Sequence, residues 1–541
     1  MATARYPMAD AVRAAYCAGQ EDETLEPLVR ADSAGRPVGR IQDGDYVIFY
    51  DIRGEREVEL TAAFVARDFP HFPRQPMTVH FATMIEYQPD LDVQVAFPPL
   101  AGLEDTLCDL VSRAGLRQVK VAESEKAIHI GFFLNGKRQD PFPGEERAIT
   151  PSPHGLTPAE MPPEMSAAAV ADAAIAALRD PGYALMTVNL CNVDVIGHIE
   201  DPDAIRVAVE TVDAQAGRIV AAAQAAGVTT ILTADHGTVE RWYYPDGAVD
   251  TGHTDSPVPF ILIDPRAGGE PSARTGSMRL RQGGALTDVA PTVLDLLGLP
   301  QPPVMAGSNL IIPVASAASG PASQFKRSDH PPRVLLLILD GWGIGDGGPG
   351  DLIAQADTPV VDGLLAVWPH TQLQAAGPAV GMPPGTVGNS EAGHLNIGAG
   401  RIVPADRVRI DRARADGSFL ENPAFRWAMR GAKQDGTRLH LLGIVSFYSS
   451  HGSVDHLLAL MEMARREGVP EAYVHAMLGR RGERPESGAV YIEQVEREAE
   501  RLGVGQVVSV IGRFWSLDRE GHWDRIGKTY RLLVEGEGQT I

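Results

Sequence analysis

Aspartate and histidine residues follow several short apolar runs in this sequence, and both residue types bind divalent metal ions. They occur in the segments CNVDVIGH, TADHG, TGHTD and LDGWG. The residues concerned are Asp194, His198, Asp235, His236, His253 and Asp340. A mixed Asp/His set suits Mn²⁺, Zn²⁺ or Fe²⁺, and the lack of cysteine beside it argues against a structural zinc site. Three aspartates and three histidines exceed the needs of one ion, so we predict two metal ions.

A glycine-rich segment places a serine where it could act as a nucleophile. The segment Gly385–Gly400 reads GTVGNSEAGHLNIGAG and contains Ser390. Its glycines would let the backbone approach a ligand closely, so we expect a loop. A metal ion can lower the pKa of a serine hydroxyl, which is the task of the histidine in a catalytic triad. The sequence shows no triad pattern, so this interpretation depends on the metal ligands.

Apolar runs alternate with amphipathic stretches along the chain, which is typical of a parallel α/β fold. Predicted strands are Asp45–Tyr50, Ala184–Leu190, Thr229–Thr233 and Val334–Leu339. Predicted helices are Asp203–Ala226, with Gly227 as its stop, Leu457–Glu467 and Val490–Leu502. Ligands of open α/β sheets bind beyond the carboxyl ends of the strands. The Asp/His residues that follow these strands are therefore expected to meet at one site.

Length and charge narrow the class of protein. The chain has 541 residues, a length that favours two domains. Its hydrophobic content of 44% is typical of a globular protein. A net charge of −22 argues against a nucleic-acid binder and against binding to anionic membranes. Cys17, Cys108 and Cys191 are too few and too widely spaced for a disulfide framework, and no apolar run is long enough to span a bilayer. We expect a soluble protein of the cytoplasm.

The motifs together resemble those of a known enzyme family. DGWGIGD at Asp340, GNSEAGHLNIGAGR at Ser390, TADHG, and the Asp194/His198 pair are similar to those of the cofactor-independent (2,3-bisphosphoglycerate-independent) phosphoglycerate mutases. These enzymes belong to the alkaline phosphatase superfamily. The similarity extends to DGDYVIFYDIRGER, GLRQVKVAESEKAIH and GRFWSLDREGHWDR. It implies an α/β protein with an alkaline-phosphatase-like metalloenzyme domain and an α/β transferase domain.

The order of the motifs differs from that of the family, in which the DGWG and serine segments come first and the Asp/His segments come last. Here the closing part comes first, which indicates a circular permutation, although an artificial or fused gene is an alternative origin. We expect a transferase domain formed by residues 1–95 and 405–541 and a metal domain formed by residues 96–311 and 333–404. The Ala/Ser/Pro-rich residues 312–332 would be the linker that joins the original termini.

The resemblance implies a role for each matching residue. One metal ion would be held by Asp194, His198 and His253, and the second by Asp235, His236, Asp340 and Ser390. Ser390 would accept the phosphoryl group, Lys126 would neutralise phosphate charge, and His451 would exchange protons with the glycerate hydroxyls. The phosphate or carboxylate of the substrate would be bound by Arg53, Arg56, Arg481, Arg513 and Arg519.

The implied function is the interconversion of 3-phosphoglycerate and 2-phosphoglycerate, in glycolysis and gluconeogenesis, by a monomer with two divalent ions. Mn²⁺ is expected, with Mg²⁺, Zn²⁺ or Co²⁺ as alternatives. Gly482 stands where the family has an aspartate, and Ser453 where it has a histidine. These departures leave two other functions open. One is a metal-dependent phosphomonoester hydrolase or a mutase with another substrate, and the other is a metal-binding regulatory protein.

Overall fold

The structure is a computed structural model that describes residues 6–75, 77–100, 102–153, 161–244, 247–265, 279–312, 332–447, 451–479 and 486–541. The predicted linker, except for its two end residues, lies outside the described residues. So do Arg481 and Gly482.

The strands of the described residues are β1 (Leu28–Val29), β2 (Tyr46–Phe49), β3 (His80–Ile85), β4 (Gln94–Phe97), β5 (Arg117–Glu123), β6 (Glu145–Thr150), β7 (Tyr183–Leu190), β8 (Thr229–Thr233), β9 (Val258–Ile263), β10 (Arg279–Leu280), β11 (Gly284–Ala285), β12 (Ile311–Ile312), β13 (Val334–Leu339), β14 (His370–Gln374), β15 (Leu439–Ile444), β16 (Ala472–Leu478), β17 (Gln506–Gly512) and β18 (Gln539–Thr540). All four predicted strands are confirmed, as β2, β7, β8 and β13.

The α-helices of the same residues are α1 (Pro7–Cys17), α2 (Val58–Val65), α3 (Leu107–Arg113), α4 (Ala167–Arg179), α5 (Asn192–Gly197), α6 (Pro202–Ala225), α7 (Val289–Leu297), α8 (Pro359–Val367), α9 (Ser390–Ala399), α10 (Asp406–Asp416), α11 (Pro423–Asp435), α12 (Val454–Glu467), α13 (Gly488–Leu502), α14 (Arg513–Ser516) and α15 (Trp523–Glu535). The three predicted helices are confirmed as α6, α12 and α13. Helix α6 ends before Gly227, whose φ of +68° is the left-handed conformation that glycine adopts without a steric penalty. Among the described helices, none combines the length and apolar character needed to cross a bilayer.

The chain forms two compact units. The first contains residues 1–99 and 409–541, and the second contains residues 100–408. The sequence boundaries, at 95/96 and 404/405, fall within a few residues of these. The chemical roles given to the two domains remain predictions.

The first unit is built on an eight-stranded sheet with the order β18-β1-β17-β16-β15-β2-β3-β4. All its strand pairs are parallel except β1 with β17. Its centre joins distant parts of the chain, because β2 pairs with β15 in the register Val47 to His440. The two segments of this unit therefore share one sheet and one apolar core.

The second unit has a sheet with the order β11-β14-β9-β8-β13-β7-β5-β6. Strands β8, β13, β7, β5 and β6 are parallel neighbours. All six residues of β13 are buried, as expected for the central strand of a sheet covered on both faces. The mainly parallel sheets of both units confirm the α/β class.

Candidate functional site

The carboxyl ends of β7, β13 and β8 lie side by side in the second unit, and each is followed by predicted ligands. Asp340 comes directly after β13, and Asp235 comes two residues after β8. Asp194 lies in the first turn of α5, the short helix that follows β7. Because the three strands are adjacent and parallel, these carboxylates meet at one edge of the sheet, as predicted.

Asp194, His198 and His253 form the more exposed side of this group. The Nε2 atoms of the two histidines are 3.2 Å apart, and Asp194 Oδ1 lies 3.1 Å from Nε2 of His253 and 3.5 Å from Nε2 of His198. The backbone carbonyls of Thr251 and Gly388 lie within 2.9 Å of the Nδ1 atoms of His198 and His253, respectively. These carbonyls accept hydrogen bonds from Nδ1–H, so the two Nε2 lone pairs face one another beside a carboxylate oxygen, as metal ligands do.

Ser390 lies on the buried side of the group. Its Oγ is 2.9 Å from Nε2 of His236 and 3.3 Å from Oδ1 of Asp340. His236 Nε2 is in turn 3.5 Å from Asp340 Oδ1 and 3.6 Å from Asp235 Oδ2. The structure therefore brings Asp235, His236, Asp340 and Ser390 together, as predicted, with His236 and Asp340 next to the serine hydroxyl. We call the seven residues Asp194, His198, His253, Asp235, His236, Asp340 and Ser390 the metal cluster.

Lys126 extends into the centre of the metal cluster from the single 3₁₀ turn that follows β5. Its Nζ donates to Asp194 Oδ2 at 2.6 Å, to Ser390 Oγ at 2.7 Å and to Asp340 Oδ1 at 2.8 Å. Burial alone would lower the pKa of Lys126, but the neighbouring aspartates outweigh burial and raise it well above its usual value. Lys126 therefore remains a cation and donates hydrogen bonds to Ser390 and to its two carboxylate neighbours.

The aspartates set the charge balance of the cluster. Burial would lower the pKa of His236, yet Asp235, Asp340 and Asp194 raise it to about 10. Burial would also raise the pKa values of Asp194 and Asp235. Nearby cations instead hold both pKa values below their usual range. Lys126 has the largest lowering effect on Asp194, and His236 has the largest on Asp235. The cluster thus concentrates buried negative charge, which nearby cations stabilise.

Two observations indicate that the cluster fits metal ions. Asp194 Oδ1 and Asp235 Oδ2 are buried but receive no well-aligned hydrogen bond. In addition, the potential ligand atoms of Asp194, His198 and His253 lie within 4.8 Å of one another, as do those of Asp194, His236 and Asp340. Buried carboxylate oxygens are costly unless they are hydrogen-bonded or bound to a cation.

Sequence reasoning missed two residues that hold the cluster in place. His394 Nδ1 lies 2.9 Å from the Ser390 carbonyl oxygen and 3.1 Å from Asp235 Oδ2. Asn189 Nδ2 donates to Asp340 Oδ2 at 2.7 Å and lies 3.1 Å from His394 Nε2. Because the amide nitrogen can only donate, His394 Nε2 accepts and Nδ1 carries the proton. The spacing of His394 four residues after Ser390 was the available signal, since residues i and i+4 share a helix face.

The segment expected to be a glycine-rich loop is mostly helical, so that expectation was wrong. Helix α9 begins at Ser390, and the side chain of Asn389 caps it by accepting from the Ala392 amide at 2.8 Å. The glycines within α9 serve packing, because a Cβ atom at Gly393 would lie 2.5 Å from the Asp235 carbonyl oxygen. Ser390 therefore sits at the N-terminus of a ten-residue helix, where the helix dipole stabilises negative charge.

This close approach leads to a prediction for Gly393. Substituting Gly393→Ala should destabilise the protein by about 1–3 kcal/mol, because the methyl group would push α9 away from the Asp235 backbone. Urea unfolding followed by circular dichroism measures this change. The control is Gly363→Ala in α8, where a Cβ atom meets nothing within 4 Å and the helix should be unchanged or stabilised. Equal stability of the two variants would contradict the packing role of Gly393.

The first unit holds the predicted arginines that the structure describes. Arg53 and Arg519 both pair with the half-exposed carboxylate of Glu55, at 3.3 Å and 2.7 Å. Arg56 donates to the Leu517 carbonyl oxygen at 3.3 Å. Glu55 is thus a carboxylate held between two arginines, as an anionic ligand would be.

His451 lies in the same unit and contacts the fourth of these arginines. Its Nε2 is 3.3 Å from Nη2 of Arg513, and its Nδ1 is 2.6 Å from Oε1 of Glu57. Asp51 and Glu57 are both fully buried beside it. The sequence did not single out either carboxyl group.

Two family models match the chain. One, described as the Metalloenzyme superfamily, matches residues 56–301. The other, described as the BPG-independent PGAM N-terminus, matches residues 2–89 and 410–541. The second match corresponds closely to the two segments of the first unit.

Curated proteins named 2,3-bisphosphoglycerate-independent phosphoglycerate mutase are similar to the chain. The protein from Thermomicrobium roseum is 42% identical over 57% of this chain and 58% of its own length. That from Moorella thermoacetica is 48% identical over 38% and 40%, and that from a Synechococcus strain is 42% identical over 56% of each. The chain thus spans about half the length of the relatives it matches. A crystal structure of Leishmania mexicana phosphoglycerate mutase, at low cobalt concentration, aligns with 30% identity and a TM-score of 0.39 over 52% of this chain and 53% of that chain.

Proposed function

We propose that this chain, which is similar to the 2,3-bisphosphoglycerate-independent phosphoglycerate mutases and matches the Metalloenzyme superfamily model, interconverts 3-phosphoglycerate and 2-phosphoglycerate. The phosphoryl group would be carried by Ser390 between the two positions. One observation carries this proposal above the others: the Ser390 hydroxyl lies within hydrogen-bond distance of both Lys126 and His236, inside the metal cluster.

We propose that the metal cluster holds two divalent ions. One would be bound by Asp194, His198 and His253, and the other by Asp235, His236, Asp340 and Ser390. Mn²⁺ suits this mixture of carboxylate and imidazole ligands. Bound metal ions neutralise phosphate charge and lower the pKa of a coordinated hydroxyl.

The residues of the second unit have separate tasks in phosphoryl transfer. Lys126 is a cation within 2.7 Å of Ser390 Oγ and would stabilise charge on the phosphoryl oxygens. The N-terminus of α9 favours negative charge at the same serine. His394 and Asn189 hold the side chains of Asp235 and Asp340 in orientation, as outer partners of metal ligands do.

We assign recognition of the glycerate to the first unit. Arg53, Arg56, Arg513 and Arg519 would bind its phosphate or carboxylate group, and Arg481 matches a further position of the family. His451 would exchange protons with its hydroxyl groups. We further propose that the protein is a monomer of the cytoplasm that acts in glycolysis and gluconeogenesis.

We also propose that the motif order reflects a circular permutation. The family model for the N-terminus matches residues on both sides of the second unit, which supports this order. A permutation keeps every core contact when it joins termini that lie at the surface.

The test is incubation of the purified protein with 3-phosphoglycerate and Mn²⁺, with product followed by ³¹P NMR. We expect 2-phosphoglycerate to form without added bisphosphoglycerate, and EDTA to abolish its formation until Mn²⁺ is restored. Release of free phosphate in place of 2-phosphoglycerate would reject the mutase and indicate a hydrolase of the same superfamily. Absence of both products would reject an enzyme acting on this substrate.

A further inference from the structure

A buried pair of carboxyl groups adjoins His451 in the first unit. Asp51 follows β2 and Glu57 precedes α2, whereas His451 follows β15, the parallel neighbour of β2. Asp51 and Glu57 are both 0% exposed and His451 is 2% exposed. One side-chain N or O atom from each of the three residues lies within 4.8 Å of the others. Three residues from the segments that follow the neighbouring strands β2 and β15 thus form one buried group. We call it the carboxyl–imidazole trio.

The hydrogen bonds of the trio define its protons. Arg513 Nη2 lies 3.3 Å from His451 Nε2, and a guanidinium group can only donate. His451 Nε2 is therefore an acceptor in this arrangement, so the proton of the neutral ring is on Nδ1 and is donated to Glu57 Oε1 at 2.6 Å. Glu57 Oε2 accepts from the Arg56 amide at 3.1 Å, so Glu57 acts as an acceptor at both oxygens.

Asp51 provides the other half of the pair. Its Oδ1 accepts from the Ile444 amide at 2.8 Å, whereas its buried Oδ2 receives no hydrogen bond from a donor. Two adjacent buried carboxyl groups avoid facing negative charges when one of them keeps a proton. Asp51 satisfies this condition if Oδ2 carries a proton that is shared with Glu57.

We propose that Glu57, supported by Asp51, is the positioning residue and proton store for His451, which rests on the proposed mutase function and deepens it. In the structure the ring proton is on Nδ1 and Glu57 only accepts, which is the emptied form of the store. In the filled form Glu57 Oε1 carries a proton that it donates to Nδ1, and Nε2–H faces the glycerate instead of accepting from Arg513. When the glycerate oxygen loses its phosphoryl group, the Nε2 proton moves to that oxygen and the Glu57 proton moves to Nδ1. When the other hydroxyl attacks phosphoserine, its proton moves to Nε2, and the Nδ1 proton returns to Glu57. One proton leaves the store and one returns in each cycle, so the isomerisation needs no proton from solvent.

The electrostatics of the trio agree with this role. Burial raises the pKa of Glu57 to about 8 and that of Asp51 well above its usual value. Burial, followed by nearby arginines, lowers the pKa of His451 to about 4 against the opposing effect of Asp51. Among the described residues, the other titratable or charged groups that interact with the trio include Tyr50, Arg53, Arg56, Tyr87 and Arg513. Below about pH 8 Glu57 is therefore protonated while the His451 imidazole is neutral, so the proton store is filled. Above that pH Glu57 has lost its proton and the store is empty.

The first experiment compares Glu57→Gln with Glu59→Gln, a matched loss of a buried carboxyl group from the same helix region. Glu59 accepts from the Gly521 amide and is not part of the trio. We expect Glu57→Gln to lower kcat about 10²–10³-fold with KM changed less than about threefold. The fall in wild-type kcat above about pH 8 should disappear in this variant. The control should keep at least about one third of wild-type kcat. Wild-type kcat and an unchanged pH profile in Glu57→Gln would overturn the proposal.

The second experiment reads the proton directly and does not need mutase activity. In ¹⁵N-histidine-labelled protein, with His451→Gln used to assign the signal, His451 should change from the Nε2–H to the Nδ1–H tautomer near pH 8. Asp51→Asn should keep this change near the same pH, because the new amide donates to the Glu57 carboxylate as the shared Asp51 proton does, whereas Asp51→Leu, which removes that donor, should move it to higher pH. An ordinary titration of His451 to imidazolium near pH 6.5 would overturn the proposal even in a protein that proves inactive as a mutase. Conversely, this tautomer change in a protein without mutase activity would reject the proposed function and keep the proton store.

Discussion

Ser390→Ala should reduce mutase turnover at least about 10⁴-fold and abolish the phosphoserine. This substitution removes the hydroxyl that we propose accepts the phosphoryl group, while Lys126 and the Asp/His residues remain. Turnover is measured with 3-phosphoglycerate and Mn²⁺, and phosphoserine by intact-protein mass spectrometry after rapid acid quench. The binding site for the metal ion on the Asp194 side should persist, because none of its three predicted ligands is altered.

The matched control for this variant is Ser112→Ala. Ser112 belongs to the same unit, and its hydroxyl donates to the Pro143 carbonyl oxygen at 2.8 Å, outside the metal cluster. It should retain full activity. If Ser390→Ala still formed 2-phosphoglycerate at a tenth of the wild-type rate, Ser390 would not be the phosphoryl carrier.

Lys126→Met should lower kcat about 10²–10³-fold and should destabilise the metal-free protein by about 3–5 kcal/mol. Lys126 compensates buried carboxylates that lie 2.6 and 2.8 Å from its Nζ, and methionine leaves them without this cation. Divalent ions bound to the same carboxylates, as proposed above, would supply the missing charge. The loss of stability should therefore be smaller in Mn²⁺ than in EDTA, as measured by urea unfolding in each buffer.

Lys120→Met is a closely matched control, because Lys120 is a fully buried lysine of β5, the strand that precedes the Lys126 turn. Lys120 pairs with Glu145 at 3.3 Å and hydrogen-bonds Asn135, away from the metal cluster. Its loss should destabilise the protein equally in EDTA and Mn²⁺. An equal effect of Lys126→Met in the two buffers would show that Lys126 and the metal ions do not compensate the same charges.

Much of the metal cluster could be predicted because its residues follow short, strongly apolar strands. Runs such as VLLLIL identify β13, and the topology of a parallel sheet then brings the following residue, Asp340, to the same edge as Asp235 and Asp194. The residues of α9 were harder to interpret. Glycine is a poor helix former, and only the close approach of the Asp235 backbone explains why Gly393 occurs within a helix.

Tertiary packing determines the parts that the sequence alone did not reveal. Glu57 lies in the charged stretch RGEREVEL, which has the composition of a solvent-exposed helix start, but the fold buries it completely beside His451. His394 and Asn189 likewise gain their significance only from contacts with the metal cluster. Lys126 and the arginines were identified through family resemblance, since isolated basic residues have no spacing that predicts a site.

The pairing of β2 with β15 has a consequence for synthesis of the protein. As the chain leaves the ribosome, β2 and β3 are complete long before residues 439–444 are made, so the edge of β2 that later pairs with β15 has no partner. The second unit is one continuous segment, residues 100–408, which comes between β3 and β15 in the sequence. It can fold before the second segment of the first unit has been made. Exposed strand edges promote aggregation, so we expect the N-terminal segment of the first unit to be prone to aggregation until residues 439–444 have been made.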